Sequence, residues 1–495
     1  MNKMMGAYGI RLTVVAVATV VNLSAVFAGG LLTNTNQSAH FARMMAREAS
    51  TEIDAVYTNP AGLSWLPTDG FHFSITNQSA FQTRTITSTL PSFAGFGGDV
   101  TKAFEGKASA PIIPSIQAAY KTGDWVLSGS FAVTGGGGKA TFNKGLPSFE
   151  APISALPNGV NQLGLALGAL MPGTTLTAGQ YSVNAYMEGS SFIYGAQLGG
   201  TYAISEHFSG YAGFRMNFVS NGYVGHLTAI QINPTSNVPA LGTGVMVPAS
   251  AYFNGLAQLP QLQDPSVVNY KNQLLGLSAS TADKYVDCSQ SGWGITPVIG
   301  VNFNYNQLNI GLKYEFNTHL NVENKTKIDD TNSFPDGVNT PNDVPALFTA
   351  GVSYKICPQL TASLGYHHFF DSDSKMANDK EQYAGSTNEY LVGVEYKITD
   401  MFLISGGGQI THYGVGDDYQ RDLSFVCSSY SLGFGGAVNV SEKVRINAGY
   451  FWSTYSDYTV DAPDAAGGKL TANNTLKDVY SRTNKVFAVG VDFSF

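Results

Sequence analysis

Charge is scarce in this sequence: only 13% of its 495 residues are Asp, Glu, Lys or Arg, against roughly 25% in an ordinary soluble protein. Long apolar runs are missing too. Beyond the N-terminus no stretch reaches the roughly 20 uninterrupted apolar residues that a membrane-spanning helix needs. A chain of this kind can cross a membrane only as a closed β-barrel, the other structure that satisfies its backbone hydrogen bonds in lipid. Cysteines number three, which excludes a complete disulfide framework. Cys357 falls in a predicted turn at one end of the strands, and Cys288 and Cys427 begin strands at the other. A Cys288–Cys427 bridge and free thiols both remain open. No metal-ligand spacing involves these residues, and nothing implies a cofactor.

Glycine (55 residues), tyrosine (26) and phenylalanine (29) are abundant, a mixture that suits strands in lipid. Residues 1–28 read as a secretory signal peptide: Lys3 and Arg11 give a positive start, residues 12–26 are an apolar run, and Val26-Phe27-Ala28 is a small-residue cleavage site. Losing Lys3 and Arg11 makes the net charge of −8 more negative still. That disfavours nucleic acid or anionic lipid as a specific partner.

The organising signal is a recurring hairpin, in which an alternating strand ends on an aromatic, a very short polar turn follows, and the next strand opens on an apolar residue. It occurs at residues 118–130, 200–213, 302–312, 352–366, 394–405 and 437–450. Six such turns pair twelve strands. One strand after Gly70 and one at the C-terminus make fourteen, the even number a closed bacterial barrel requires. The predicted fold is therefore all-β, a fourteen-stranded antiparallel transmembrane β-barrel. The other connections are longer, the two largest at residues 142–186 and 227–290, and their content of Leu, Ala, Pro and Gly with few charges predicts that they fold over the extracellular mouth.

Side chains alternate between lipid and lumen along each strand. Trp125, Leu127, Phe131 and Val133 are accordingly assigned to lipid, with Ser128, Ser130 and Thr134 to the lumen. Trp293, Ile295, Ile299 and Val301 face outward against Thr296 and Asn302. Tyr120, Tyr202, Tyr305, Tyr354 and Tyr396 fall outward beside short turns, forming an aromatic belt at the periplasmic interface. The last strand ends on Phe495, the terminal aromatic that the barrel assembly machinery reads in outer-membrane barrels, which this chain resembles.

Residues 29–69 precede the barrel (70–495) and do not alternate. Residues 40–49 are predicted to form a short helix, and Asn59-Pro60-Ala61-Gly62 carries strong turn chemistry. Too long for a linker and too polar for lipid, the segment is expected to form an N-terminal plug (hatch) inside the lumen. Ala55-Val56-Tyr57-Thr58-Asn59-Pro60-Ala61-Gly62-Leu63 resembles the hatch signature of the FadL/TodX family of outer-membrane transporters for long-chain fatty acids and aromatic hydrocarbons. Gly29-Gly30, the strand count, the long outer loops and Phe495 extend the resemblance along the chain. It implies a hydrophobic small molecule or fatty acid captured among the outer loops, a lumen sealed by Asn59, Pro60, Ala61, Gly62 and their neighbours, and sideways release where a strand kinks inward. Such a gap needs a broken hydrogen-bond ladder, which glycine permits. The lateral-gate candidates are Gly135, Gly136, Gly137 and Gly138, with Gly129 second.

Parity points Arg215, Lys313, Glu315, Glu395, Arg445 and Asp492 into the lumen. Glu395, Arg445 and Asp492 lie near the periplasmic end, where the hatch charges Arg43, Arg47, Glu48, Glu52 and Asp54 are expected as partners. Arg215 and Lys313 lie higher, roughly 15–20 Å above their turns. They are the candidates to hold a carboxylate head group, the alternative being that Lys313 pairs with Glu315. Tyr211 and Phe451 are the candidates to line an apolar substrate pocket. His367, His368, Asp371 and Asp373 form a His/acid cluster. His367 and His368 point to opposite faces, so the cluster is placed at a strand exit on the outer rim and no catalytic site is assigned. The expected function is passive uptake of hydrophobic compounds by a monomer in the bacterial outer membrane, among membrane lipid and lipopolysaccharide. A general porin and an adhesin or structural barrel are the alternatives.

Overall fold

A strand in lipid has no water to satisfy its N–H and C=O groups, so each must find a neighbouring strand. The computed structural model describes residues 31–462 and 469–495; the expected signal peptide and Gly29-Gly30 lie outside the described residues. Fourteen strands meet the requirement by closing on themselves. They are β1 (Gly70–Thr89), β2 (Thr101–Thr122), β3 (Trp125–Phe142), β4 (Tyr181–Ala203), β5 (Phe208–Ile232), β6 (Lys284–Tyr305), β7 (Leu308–Glu315 and Asn321–Asp329), β8 (Asn339–Pro341 and Leu347–Cys357), β9 (Leu360–Phe369), β10 (Ala384–Lys397), β11 (Phe402–Val415), β12 (Ser429–Ser441), β13 (Val444–Tyr455 and Tyr458–Asp461) and β14 (Lys477–Ser494). Each pairs antiparallel with the next, and β14 returns to β1 from His72↔Ser494 to Thr89↔Lys477. Gly123 and Asn306, at φ of +54° and +53°, sit in two-residue hairpin turns whose left-handed geometry matches the strand twist.

The lipid face is as alternation assigned it over most of the wall: Trp125, Leu127, Phe131, Trp293, Ile295, Ile299 and Val301 are exposed, as are the five belt tyrosines. Val133 is a correction. It is only 7% exposed, because every residue from Ala132 to Gly138 is buried; β3 leaves the wall there and enters the lumen. The long connections are also shorter than expected. β4 already begins at Tyr181, β5 runs on to Ile232 and β6 begins at Lys284. At that height inward residues pack on loop helices and turn apolar while outward ones such as Ser182, Asn184 and Gln231 are polar, which reverses the alternation. Helices α3 (Pro147–Ser154) and α4 (Leu156–Leu170) of the first loop and α5 (Ala249–Ala257) and α6 (Val268–Ser280) of the second share one apolar core, including Val160, Leu163, Phe253, Leu256 and Leu274.

The hatch fills the lumen. Residues 31–50 are all buried. Its helix spans only Ala39–Arg43, capped by the Ser38 hydroxyl accepting from Phe41 N (3.1 Å), and not 40–49, because Met44 turns to extended backbone. A four-residue helix, Ala55–Thr58, and a 3-10 turn, Pro60–Trp65, complete it. Glycines let the hatch backbone touch the wall: Gly311 faces Gly351, and Gly393, Gly407 and Gly433 lie side by side on β10 to β12. A Cβ on Gly311 would lie 2.3 Å from Glu48 O, one on Gly393 2.1 Å from Met44 Sδ, and one on Gly449 2.5 Å from Arg43 N.

Gly449→Val should therefore overpack the hatch against β13, at a cost of about 1–3 kcal/mol, read as a lower thermal midpoint of the folded barrel and faster proteolysis of the hatch. Gly200→Val, with nothing within 4 Å of the added Cβ, should leave both unchanged.

Candidate functional site

The Asn-Pro-Ala-Gly turn is an anchor. Asn59 caps it, its side chain accepting from Ala61 N (3.4 Å) and donating to Val301 O (3.2 Å). Thr201 donates to Pro60 O (2.8 Å) and Ser209 to Ala61 O (2.6 Å). A side chain at Gly62 would strike Ser50 O, 2.1 Å from the Cβ position. The motif thus ties the hatch to β4, β5 and β6.

A second attachment is an ion-pair hub. Arg47 grips Asp54 with Nε and Nη2 (2.7 and 2.8 Å) and Glu52 with Nη2 (2.8 Å). Arg445 of β13 pairs with Glu52, Arg43 with Glu395 of β10, and His40 with Asp492 of β14 (3.1 Å). Burial alone would raise the Asp54 and Glu52 carboxyls, but the surrounding guanidinium groups hold both below their ordinary range. His40, Glu52 and Asp54 have ligand atoms within 4.8 Å of one another. Three guanidinium groups already occupy the two carboxylates, so the donor set does not fit a metal cation.

All four residues expected to bind substrate contact the hatch. Arg215 meets Glu315 with two hydrogen bonds (2.7 and 2.9 Å) and stacks over Tyr57, 4.7 Å from the ring centroid. Lys313 shares the same carboxylate (2.6 Å) and donates to Tyr57 O (3.0 Å). A ligand carboxylate would have to displace Glu315. Tyr211 packs on Ala61 and Val298, and Phe451 sets its ring edge-on to Phe41 at 6.1 Å. Parity placed these residues inward; it carried no information on how far up the lumen the hatch reaches.

His367 and His368 face opposite ways, as alternation assigned them. His367 is buried in the lumen against Glu48 and Glu389, while His368 faces outward beside Tyr366 and Asn388. Asp371 accepts from Leu31 N (3.3 Å) and Thr387 N (3.2 Å), tethering the start of the hatch, and burial pushes its carboxyl up to about 7. Asp373 is exposed. The cysteines are free: Cys427 donates to Tyr480 O and Cys288 to Ser289 O, each at 3.4 Å, and Cys357 is exposed.

The wall itself is interrupted between β2 and β3. Pairing runs from Gly106↔Phe142 to Ala108↔Ala140, stops, and resumes at Ile116↔Phe131. On β3 the break holds Gly135, Gly136 and Gly138, with φ of +91° at Gly136 and +69° at Gly138. Gly137 lies between them, whereas Gly129 pairs regularly with Ala118 and Leu198 and is not part of the break. On β2 it holds Pro111 and Pro114, which have no N–H to offer a neighbour. On its other edge β2 bulges against β1, where Ser79 donates to Pro111 O (2.7 Å) and Ile113 N to Asn77 Oδ1 (3.1 Å). Residues 32–37 of the hatch form a strap across the inner side. Asn34 N donates to Thr134 O (2.8 Å), Gly136 N to Leu32 O (3.1 Å) and Gln37 Nε2 to Val133 O (2.9 Å), while Ser115 of β2 donates to Gln37 O. A second break, between β6 and β7, stays closed. There Phe316 N reaches Pro297 O (3.0 Å), and a Cβ on Gly292 would lie 2.1 Å from Asn321 O.

At the mouth, Phe149, Met187, Leu227, Val286 and Phe334 line an apolar pocket of about 500 Å³, counting space open to solvent, with Lys284 and His226 among its polar lining. At the periplasmic end a vestibule of about 690 Å³ lies between hatch and wall, lined by Glu52, Trp65, Arg445 and Asp492 among others.

A closed wall, a buried hatch and one strapped break define a hatch-filled fourteen-stranded transmembrane β-barrel. No protein-family model matches the chain, and no curated protein matches it in sequence. Among solved structures it resembles a FadL homologue of Pseudomonas aeruginosa, with a TM-score of 0.60 and 13% identity over 94% of this chain and 100% of that one. It also resembles the Pseudomonas putida toluene transporter TodX, with a TM-score of 0.55 and 15% identity over 95% and 100%. The fold is that of the FadL/TodX-type outer-membrane barrels.

Two outcomes follow from the buried charges. Glu315→Gln leaves Arg215 and Lys313 sharing no counter-charge and should destabilise the folded protein by about 3–5 kcal/mol in chemical denaturation. Because Glu52 and Asp54 titrate lower when folded than unfolded, their contribution is complete above the unfolded carboxylate range and is lost as pH falls. Hatch protection from protease should hold from neutral pH down to about pH 4 and decline below it.

Proposed function

We propose that this protein carries hydrophobic small molecules across the outer membrane passively, through a barrel whose axial path is closed by its hatch and whose exit is sideways into the bilayer. The observation that carries this reading is the break between β2 and β3. A hydrophobic solute gains free energy by passing into lipid and loses it in a watery pore, and a break in the ladder gives it a route that avoids the periplasm. The apolar pocket under the outer loops, lined by Phe149, Met187, Leu227, Val286 and Phe334, serves as the capture site. The strap at residues 32–37 is the element that must move, since it bonds both lips of the break. In this reading residues 1–28 are removed on export, residues 29–69 are the hatch, and the barrel works as a monomer surrounded by lipid and lipopolysaccharide, with no catalytic step. Arg215, Lys313, Tyr211 and Phe451 act by holding the hatch. TodX, described as a toluene transporter, has the same fold, which supports a cargo of aromatic hydrocarbons or fatty acids.

Closing the break tests the route. Ser115→Cys with Ala132→Cys, one step beyond the last paired residues Ile116 and Phe131, would zip it from below in a Cys357→Ser background. Oxidation should cut uptake of a labelled alkylbenzene or fatty acid by about ten-fold, and reduction should restore it, as expected for a cross-link between neighbouring antiparallel strands. Undiminished uptake by the cross-linked protein would rule out this exit.

A further inference from the structure

One further contact of the hatch with the wall lies away from the ion-pair hub. Glu48, in the extended segment after α1 (Ala39–Arg43), enters a slot between β8 and β9 that two glycines leave open. A Cβ on Gly351 would lie 2.6 Å from Glu48 Cβ, and one on Gly365 2.0 Å from Glu48 Oε2. In the slot Glu48 Oε1 lies 2.7 Å from His367 Nε2, and His367 Nδ1 lies 2.7 Å from Glu389 Oε2 of β10. None of the three side chains is more than 4% exposed. An imidazole that donates to a carboxylate on each side must carry both ring protons and a positive charge, and a buried setting strengthens both contacts.

The two carboxylates differ in what else holds them. Glu389 also accepts from Thr411 Oγ1 (2.8 Å) and Gln409 Nε2. Among the described residues Glu48 Oε2 has no hydrogen-bond partner, and Glu48 borders a gap of only about 10 Å³ that is also lined by Thr349, Lys313 and Tyr57. With one ring proton gone, Glu389 keeps the remaining N–H and its two other donors. Glu48 is left facing a lone pair.

We propose that His367 is a positioning residue for the hatch, its doubly protonated imidazole clasping Glu48 in the glycine slot, so that loss of one proton frees this side of the hatch. The charged and titratable groups facing the clasp are Glu48 and Tyr57 of the hatch, Lys313 and Glu315 of β7, Glu389 of β10, Tyr413 of β11 and Asp371 of the loop after β9. Several of these titrate in alkali, so the test separates them by substitution. The inference needs only the hatch in the lumen and is independent of the cargo.

Amide exchange over residues 44–50 of the full-length protein in lipid nanodiscs, corrected for the intrinsic effect of pH, reads the clasp directly. Protection in the unsubstituted protein should fall about ten-fold between about pH 7 and about pH 10. Glu48→Gln can accept from an N–H or donate to a lone pair, so it should abolish that pH dependence while the barrel stays folded. His367→Gln should exchange rapidly at both pH values. Gly365→Ala, which fills the slot with His367 and Glu48 intact, should do the same. Protection independent of pH in the unsubstituted protein overturns the proposal. So does a decline of equal size in Glu48→Gln, which would assign the loosening to Lys313 or Tyr57, and so does undisturbed protection in Gly365→Ala.

Discussion

The demand that every backbone N–H and C=O be hydrogen-bonded in lipid shapes this molecule more than any other interaction. It makes the wall a closed cycle in which β14 returns to β1, and it gives each relaxation of the rule a visible compensation. Between β2 and β3 the ladder stops, and a substitute appears. Pro111 and Pro114 remove donors outright, while the side chains of Asn77 and Ser79 bond the backbone on the other edge of β2. The strap supplies Asn34 N and Leu32 O to the inward-turned backbone of β3. The hatch strap thus supplies part of the hydrogen bonding that the missing β2–β3 ladder would have provided.

Closure also creates a lumen that must be filled, and the filling is electrostatic where it meets charge and glycine-smooth where it does not. Arg43, Arg47, Glu52 and Asp54 bring the hatch to Glu395, Arg445 and their neighbours. Arg215, Lys313 and Glu315 form a second group under Tyr57. Along β7 to β13 the wall offers glycines, so that hatch backbone lies where side chains would otherwise be. Interior charges therefore locate the hatch, while the apolar pocket lies at the mouth.

Much of this was legible in residue order. Alternation and short polar turns gave the strand count and the lipid face, because period-two patterning is imposed locally by a bilayer on one side. The Gly135–Gly138 run marked the kink. Pro111 and Pro114, on the opposite lip, carried an equally readable signal that alternation counting passes over. Cross-strand glycines such as Gly311 and Gly351 were present too, but their alignment depends on register between strands far apart in sequence. The upper ends of β4, β5 and β6 were missed because loop helices pack against their inward faces, which turn apolar, while outward residues such as Ser182, Asn184, Gln231 and Asp287 are polar, the reverse of the pattern in lipid.

The sequence by itself determined that the chain closes into a barrel, which residues face lipid, and that a hatch precedes the first strand, since each follows from local periodicity or from a segment unable to sit in lipid. The tertiary structure decided how high the hatch reaches, and with it the roles of Arg215, Lys313, Tyr211, Phe451 and His367. Those roles are set by partners such as Glu315, Tyr57, Ala61, Phe41 and Glu48, most of them hundreds of residues away along the chain. A side chain's direction is a local property of its strand, but what it meets in the lumen depends on where a separate segment comes to rest.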